Sequence, residues 1–167
     1  MLRKLLDKDA DKMLEWMHDE TVNQNFRFDF AGMTKERALN FIANSFTEEN
    51  QHFAIVDDSD EYLGTISLKN ISTVDKNAEY AIVVRKSFWG TGVAKKATDE
   101  ILKYAFENLK LHRVYLNVLD ENIRANKFYQ KYGFIYEGQF KQHLNLKVKI
   151  GGGYKLQGFE LVRAHKR

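Results

Sequence analysis

The feature that most constrains this chain is a glycine turn, Trp89-Gly90-Thr91-Gly92-Val93-Ala94, set between a strand pattern and a helix pattern. Before it, Tyr80-Ala81-Ile82-Val83-Val84 is a continuous apolar run, as in a buried strand. After it, Val93, Ala97, Ile101, Leu102, Ala105, Phe106 and Leu109 recur at helical spacing and mark one apolar face. Glycine admits positive φ and lets a ligand approach the backbone closely. The helix start beyond it aims unpaired N–H groups and a partial positive charge outward, a geometry suited to phosphate. Lys95 and Lys96 fall in that first turn, where the helix dipole disfavours cations, and a bound anion would remove the conflict. The plainer reading is a strand–helix connection that uses glycine only to turn.

A second segment narrows the choice. After the strand pattern Val114-Tyr115-Leu116-Asn117-Val118 comes Asn122-Ile123-Arg124-Ala125-Asn126-Lys127-Phe128-Tyr129-Gln130-Lys131-Tyr132-Gly133-Phe134. Together the two segments resemble the GNAT superfamily of N-acetyltransferases. That family carries Gln/Arg-x-x-Gly-x-Gly/Ala and later Asn-x-x-Ala-x-x-x-Tyr-x-x-x-Gly-Phe. Gly92 and Ala94 fill the small positions, and Asn122, Ala125, Tyr129, Gly133 and Phe134 match the second motif. Trp89 replaces the usual Gln or Arg, a departure shared with the subgroup acting on ribosomal-protein N-termini, amino sugars and polyamines.

Composition sets the outer bounds. A chain of 167 residues with 44% hydrophobic and 29% charged residues can bury a sizeable core, and one domain spanning 1–167 is expected. No apolar run is long enough to cross a membrane, and the charged start Met1-Leu2-Arg3-Lys4 does not read as a signal peptide. The absence of cysteine rules out a disulfide, a thiolate metal site and a cysteine nucleophile, and fits a cytoplasmic protein. His18, His52, His112, His143 and His165 are too scattered for a zinc site, so no metal is expected. A net charge of +3, dispersed along the chain, does not point to nucleic acid, and Arg163, His165, Lys166 and Arg167 read as a solvated tail.

The pattern along the chain predicts a strand over Leu2–Leu6 and a helix capped by Asp7 that carries Met13, Leu14, Trp16 and Met17. An aromatic loop follows, Phe26-Arg27-Phe28-Asp29-Phe30, and then a helix capped by Thr34. Strands are predicted over His52–Val56, Tyr62–Lys69, Ala78–Arg85 and Arg113–Leu119, with a helix over Ile123–Tyr132. A final hairpin pairs Phe134–Val148 with Tyr154–Val162 around Gly151-Gly152-Gly153. The order β-α-α-β-β-β-α-β-α-β-β is that of an α/β mixed sheet with helices on both faces. Exposed strand edges near the hairpin leave room for a homodimer.

The resemblance implies the GNAT fold, in which the two parallel strands flanking the glycine turn splay apart to hold the pantetheine arm of acetyl-CoA. Ile82, Val83 and Val84 then offer backbone groups to that arm, and Trp89, Gly90, Thr91, Gly92, Val93, Ala94 and Lys95 wrap its pyrophosphate. Asn117, Asn122 and Asn126 are further coenzyme candidates; Asn122 also suits a helix N-cap.

Acetyl transfer to an amine needs a base, an aligned thioester, an oxyanion donor and a proton for the leaving thiolate. Tyr129 matches the family tyrosine that faces the sulfur, though it also suits a packed aromatic helix face. Glu79 is the candidate base, directly or through water, on the strand face opposite Tyr80 and Ile82; an exposed glutamate paired with a lysine is the alternative. In the family the acceptor enters beside the N-terminal helices and the final hairpin. Trp16, Phe26, Phe28 and Phe30 are therefore the acceptor candidates, with core packing the alternative for Trp16. Glu15-Trp16-Met17-His18-Asp19, followed by Val22, is similar to a segment of amino-sugar N-acetyltransferases. The expected acceptor is a small amine, a nucleotide-linked amino sugar ahead of a polyamine. A ribosomal-protein N-terminus, or a domain that senses acetyl-CoA without catalysis, are the rivals.

Overall fold

The computed structural model describes residues 1–24, 26, 28–144 and 154–162, with 140–144 and 154–162 described by backbone alone. In chain order they form β1 (Leu2–Lys4), α1 (Ala10–Met17), α2 (Glu20–Asn23), α3 (Lys35–Ala43), β2 (Gln51–Val56), β3 (Tyr62–Ser72), β4 (Asn77–Val84), α4 (Val93–Lys103), β5 (Arg113–Leu119), α5 (Ile123–Tyr132), β6 (Ile135–Leu144) and β7 (Tyr154–Val162). The mixed α/β sheet read from the sequence is present. The expected Gly151–Gly153 turn, the basic residues of the tail and Arg27 lie outside the described residues.

Local chemistry explains where the elements depart from their predicted bounds. Asp7–Asp9 is a 3-10 turn rather than the start of α1. Asp9, not Asp7, is the N-cap residue of α1; its carboxylate accepts from the Leu6 amide at 2.9 Å and pairs with Arg3 at 2.7 Å. The short helix α2 was not apparent in the hydrophobic pattern. It starts at Asp19, whose carboxylate accepts from the Thr21 amide at 2.9 Å. Thr34 caps α3 as predicted, its hydroxyl accepting from the Arg37 amide at 3.3 Å.

The seven strands form one sheet in the order β1-β2-β3-β4-β5-β7-β6. Neighbours are antiparallel except β4 and β5, the strands flanking the glycine turn. The last strand, β7, lies between β5 and β6, so the second arm of the terminal hairpin continues the sheet.

Strand alternation gives the sheet two cores. On one face Ile66, Leu68, Tyr80, Val114 and Leu116 pack with Ile101 of α4 and Tyr129 of α5. On the other, Ala54, Val56 and Tyr62 pack with Met13, Trp16 and Met17 of α1 and with Ala38 and Ile42 of α3; Val83 packs against this core. Tyr80 and Val83 therefore point to opposite faces of β4, and Glu79 shares the face of Val83.

Gly64 of β3 fixes how closely β3 and β4 approach. A Cβ at this position would collide with the Val83 carbonyl oxygen and lie 3.0 Å from Val84 Cα. Those atoms are backbone and cannot rotate away. Gly64→Ala is expected to destabilise the fold by about 1–3 kcal/mol through overpacking. Thermal melting checks the effect; an unchanged melting temperature would refute the steric argument.

Candidate active site

The parallel pairing of β4 with β5 stops early. Only Asn77↔Arg113, Ala78↔Val114 and Glu79↔Tyr115 are in register. Beyond them β4 runs on to Val84, still paired with β3, and β5 runs on to Leu119, still paired with β7. The facing edges of Tyr80–Val84 and Leu116–Leu119 have parted, leaving backbone polar groups to be satisfied by something other than the sheet. The expected splay is thus a feature of the fold. A cavity of about 1030 Å³ opens there, lined by Ile82, Val83 and Val84 on one side and Asn117, Val118 and Leu119 on the other.

The glycine turn closes one end of the gap. Gly90 and Gly92 have φ of +77° and +84°, a backbone region that costs side-chain-bearing residues energy. Gly92 is the N-cap of α4, so no side chain caps the helix. The first helical bond is Lys96 N–H to the Gly92 carbonyl at 3.2 Å, which leaves the amides of Val93, Ala94 and Lys95 without partners inside the helix. The Trp89 indole donates to the Val84 carbonyl at 2.8 Å and so folds the turn back onto the end of β4. Arg85 anchors the same corner. Its buried guanidinium donates to both Glu15 oxygens at 3.0 Å, to Glu61 at 2.9 Å and to the Tyr62 carbonyl at 3.0 Å.

Not every coenzyme candidate lines the cavity. Trp89, Gly90, Gly92, Ala94, Lys95, Asn117 and Asn122 do. Thr91 donates its hydroxyl to the Phe88 carbonyl at 2.7 Å, and Val93 is buried in the core. Asn126 donates to the Leu119 and Asn122 carbonyls at 2.9 Å, which ties the end of β5 to α5. The Lys95 ammonium is held along the helix by Asp99 at 2.8 Å, and Tyr132 donates to the same carboxylate at 2.6 Å. Asn122 lines the cavity, and its side chain accepts from the Ala125 amide at 3.2 Å, the N-cap role read from the sequence.

Tyr129 and Glu79 both line the cavity, and they do so from opposite faces of the sheet. Tyr129 is buried edge-on against Tyr80 and Phe134, at ring separations of 6.0 and 5.6 Å. Burial pushes its phenol well above the usual tyrosine range, with the nearby Arg124 charge opposing, so the hydroxyl is protonated at neutral pH. Both Glu79 oxygens are engaged: one faces Lys69 at 3.0 Å and the other accepts from Asn70 at 2.9 Å.

The acceptor candidates divide. Phe26 lines the cavity together with Val22 of α2. Trp16 is part of the core, with its indole donating to the Tyr62 hydroxyl at 3.0 Å. Phe30 stacks edge-on against Trp16 at 5.0 Å, and Phe28 is exposed beneath the Arg37 guanidinium. Neither lines the cavity. Among the described residues the aromatic loop thus contributes one wall residue, and the other rings pack around it.

Sequence reasoning passed over Lys69, Phe88, Arg124, Phe128 and Lys131, which also line the cavity. Arg124 carried a readable signal, a cation in the first turn of a helix, as at Lys95 and Lys96. Among the described residues no group of three or more His, Asp or Glu side chains is placed to hold a metal ion, and no helix is long and apolar enough to cross a membrane.

Comparison with known proteins agrees with this geometry. The family model described as an acetyltransferase (GNAT) domain matches residues 1–135. The spermidine N(1)-acetyltransferase of Vibrio cholerae is 31% identical over 105 residues, which span 63% of this chain and 58% of that enzyme. The acetyltransferase PseH of Campylobacter jejuni is 25% identical over 146 residues, spanning 87% of this chain and 89% of the relative. The crystal structure of the Vibrio cholerae spermidine N-acetyltransferase in complex with CoA and spermine superposes with a TM-score of 0.85 at 21% identity, over 97% of this chain and 94% of that one. A strand pair that parts beside an uncapped helix start, in a chain matched over most of its length by the family model, leaves one assignment: the chain belongs to the GNAT acetyltransferase family, whose acyl donor is acetyl-CoA.

Proposed function

We propose that the chain is an acetyl-CoA-dependent N-acetyltransferase acting on a small primary amine, with residues 1–167 working as a single cytoplasmic N-acetyltransferase domain. The observation that carries this reading is the parted edge of β4 meeting the uncapped start of α4 in one cavity. The free strand edge suits the amides of a pantetheine arm, and the free helix amides suit a diphosphate. When bound, acetyl-CoA supplies an acetyl thioester.

The chain's own residues divide the proton work. Tyr129, kept protonated by burial, gives its proton to the sulfur as the carbon–sulfur bond breaks. Glu79 is tied to Lys69 and Asn70, so it takes the amine proton through an ordered water as the nitrogen–carbon bond forms. Their placement on opposite faces of the parted sheet keeps acid and base apart across the reacting carbon.

The charge of the cavity bears on the acceptor. Among the described residues Glu79 is the one carboxylate in its wall, and Lys69 offsets it. Such a wall offers a polycation no uncompensated carboxylate. A nucleotide-linked amino sugar therefore stands ahead of a polyamine. The likeness to PseH, which extends over most of both chains, supports the same order.

Free-thiol release from acetyl-CoA, measured against amino sugars, their nucleotide-linked forms, polyamines and peptides with free N-termini, tests the proposal. Release is expected with the nucleotide-linked amino sugars. Release with peptides alone would overturn the small-amine reading. Silence across the panel, with acetyl-CoA still raising the melting temperature, would replace the enzyme with a coenzyme-sensing domain.

A further inference from the structure

Arg124 sits in a place that its own protein makes unfavourable. It lies in the first turn of α5, where the helix dipole repels cations. Its guanidinium rests 3.5 Å from the centre of the Trp89 indole, so one of its faces is shielded from water. No carboxylate among the described residues pairs with it. The residue as a whole is exposed, yet partial desolvation without an anion pulls its basicity below the ordinary arginine value. The cation–π contact offsets part of this cost.

What the position gains is a shared target. Trp89 is pinned by its bond to the Val84 carbonyl, and the next residue is Gly90 of the turn. The stack therefore holds a planar donor fork of α5 against the residue that opens the glycine turn into α4. The starts of α4 and α5 and the Arg124 guanidinium all line the same cavity. Arginine matches phosphate oxygens bidentately, and a fixed planar fork loses little entropy in doing so.

We propose that Arg124, held flat on Trp89, is a binding residue for the diphosphate of acetyl-CoA and forms the jaw opposite the glycine turn. The proposal rests on the acetyltransferase reading above. It assigns a role that neither family motif contains, since position 124 is a variable position of the second.

Calorimetric titration of the full chain with CoA and with 3′-dephospho-CoA tests it without any acceptor. Arg124→Ala is expected to weaken both ligands about 10–100-fold, the loss of a charge-assisted hydrogen-bond pair. The melting temperature of the free protein should barely move, because the residue has no protein anion to lose. Arg124→Lys should recover only part of the affinity, keeping the charge and losing the stacked fork. Weakening of CoA alone would put the guanidinium at the ribose phosphate and overturn the assignment. Affinities within about twofold of wild type would overturn it as well. If instead kcat fell at unchanged affinity, Arg124 would serve the departing sulfur beside Tyr129. Wild-type protein that binds no CoA would overturn the acetyltransferase reading itself, a result distinct from the others.

Discussion

Tyr129→Phe lowers kcat for acetyl transfer by about 10²–10⁴-fold and leaves the affinity for acetyl-CoA unchanged. The substitution removes one oxygen and keeps the ring. The edge-on contacts with Tyr80, Phe128 and Phe134 survive, so the helix face and the cavity wall keep their shape. What is lost is the proton that Tyr129 is proposed to give the leaving thiolate. Thiol release gives kcat, and calorimetry gives affinity. A variant with near-normal turnover would remove Tyr129 from the chemistry and leave it as packing.

The pH profile is a second check on the same group. Burial holds the phenol above the usual tyrosine range, so Tyr129 stays protonated through neutral pH and into the mildly alkaline region. Activity limited by its ionisation falls only above about pH 10, the ordinary value for tyrosine. The same shift makes a statement about stability. The folded-state value lies above the unfolded one, so the stability is fully present below about pH 10 and is lost as pH rises further. Tyr62 and Tyr80, raised by burial as well, add to that alkaline limit.

Gly92→Val abolishes acetyl-CoA binding while the protein remains folded. At φ of +84° a β-branched residue meets its own carbonyl, at a cost of about 1–2 kcal/mol or more. An ideal Cβ there meets no atom within 4 Å, so the protein itself has room for it. The added methyls would project where a phosphate must approach the amides of Val93, Ala94 and Lys95. Loss of the thermal shift caused by acetyl-CoA is the readout. A folded variant of normal affinity would show that the turn serves only to start the helix.

These two residues were legible because their signals are local. A glycine turn between an apolar run and an amphipathic helix is written in consecutive residues. So is the spacing from Asn122 through Tyr129 to Phe134. Burial of Trp16 was left open by its spacing and decided by Tyr62, which reaches the indole from another strand. Phe28 and Phe30 look alike in sequence, yet one is exposed and the other packs on Trp16, because the loop's path sets which ring meets the core.

By itself the sequence determined most of the elements, the faces of the strands, and the turn that starts α4. All of these follow from side-chain periods and from the torsions glycine permits. Tertiary structure alone decided where β4 and β5 part, after Glu79 and Tyr115, and that β7 enters between β5 and β6. It also decided that Lys69 neutralises Glu79 and that Arg124 lies on Trp89. Each is a meeting of segments distant in the chain, and side-chain periodicity specifies which face a residue presents but not which distant residue it will find there.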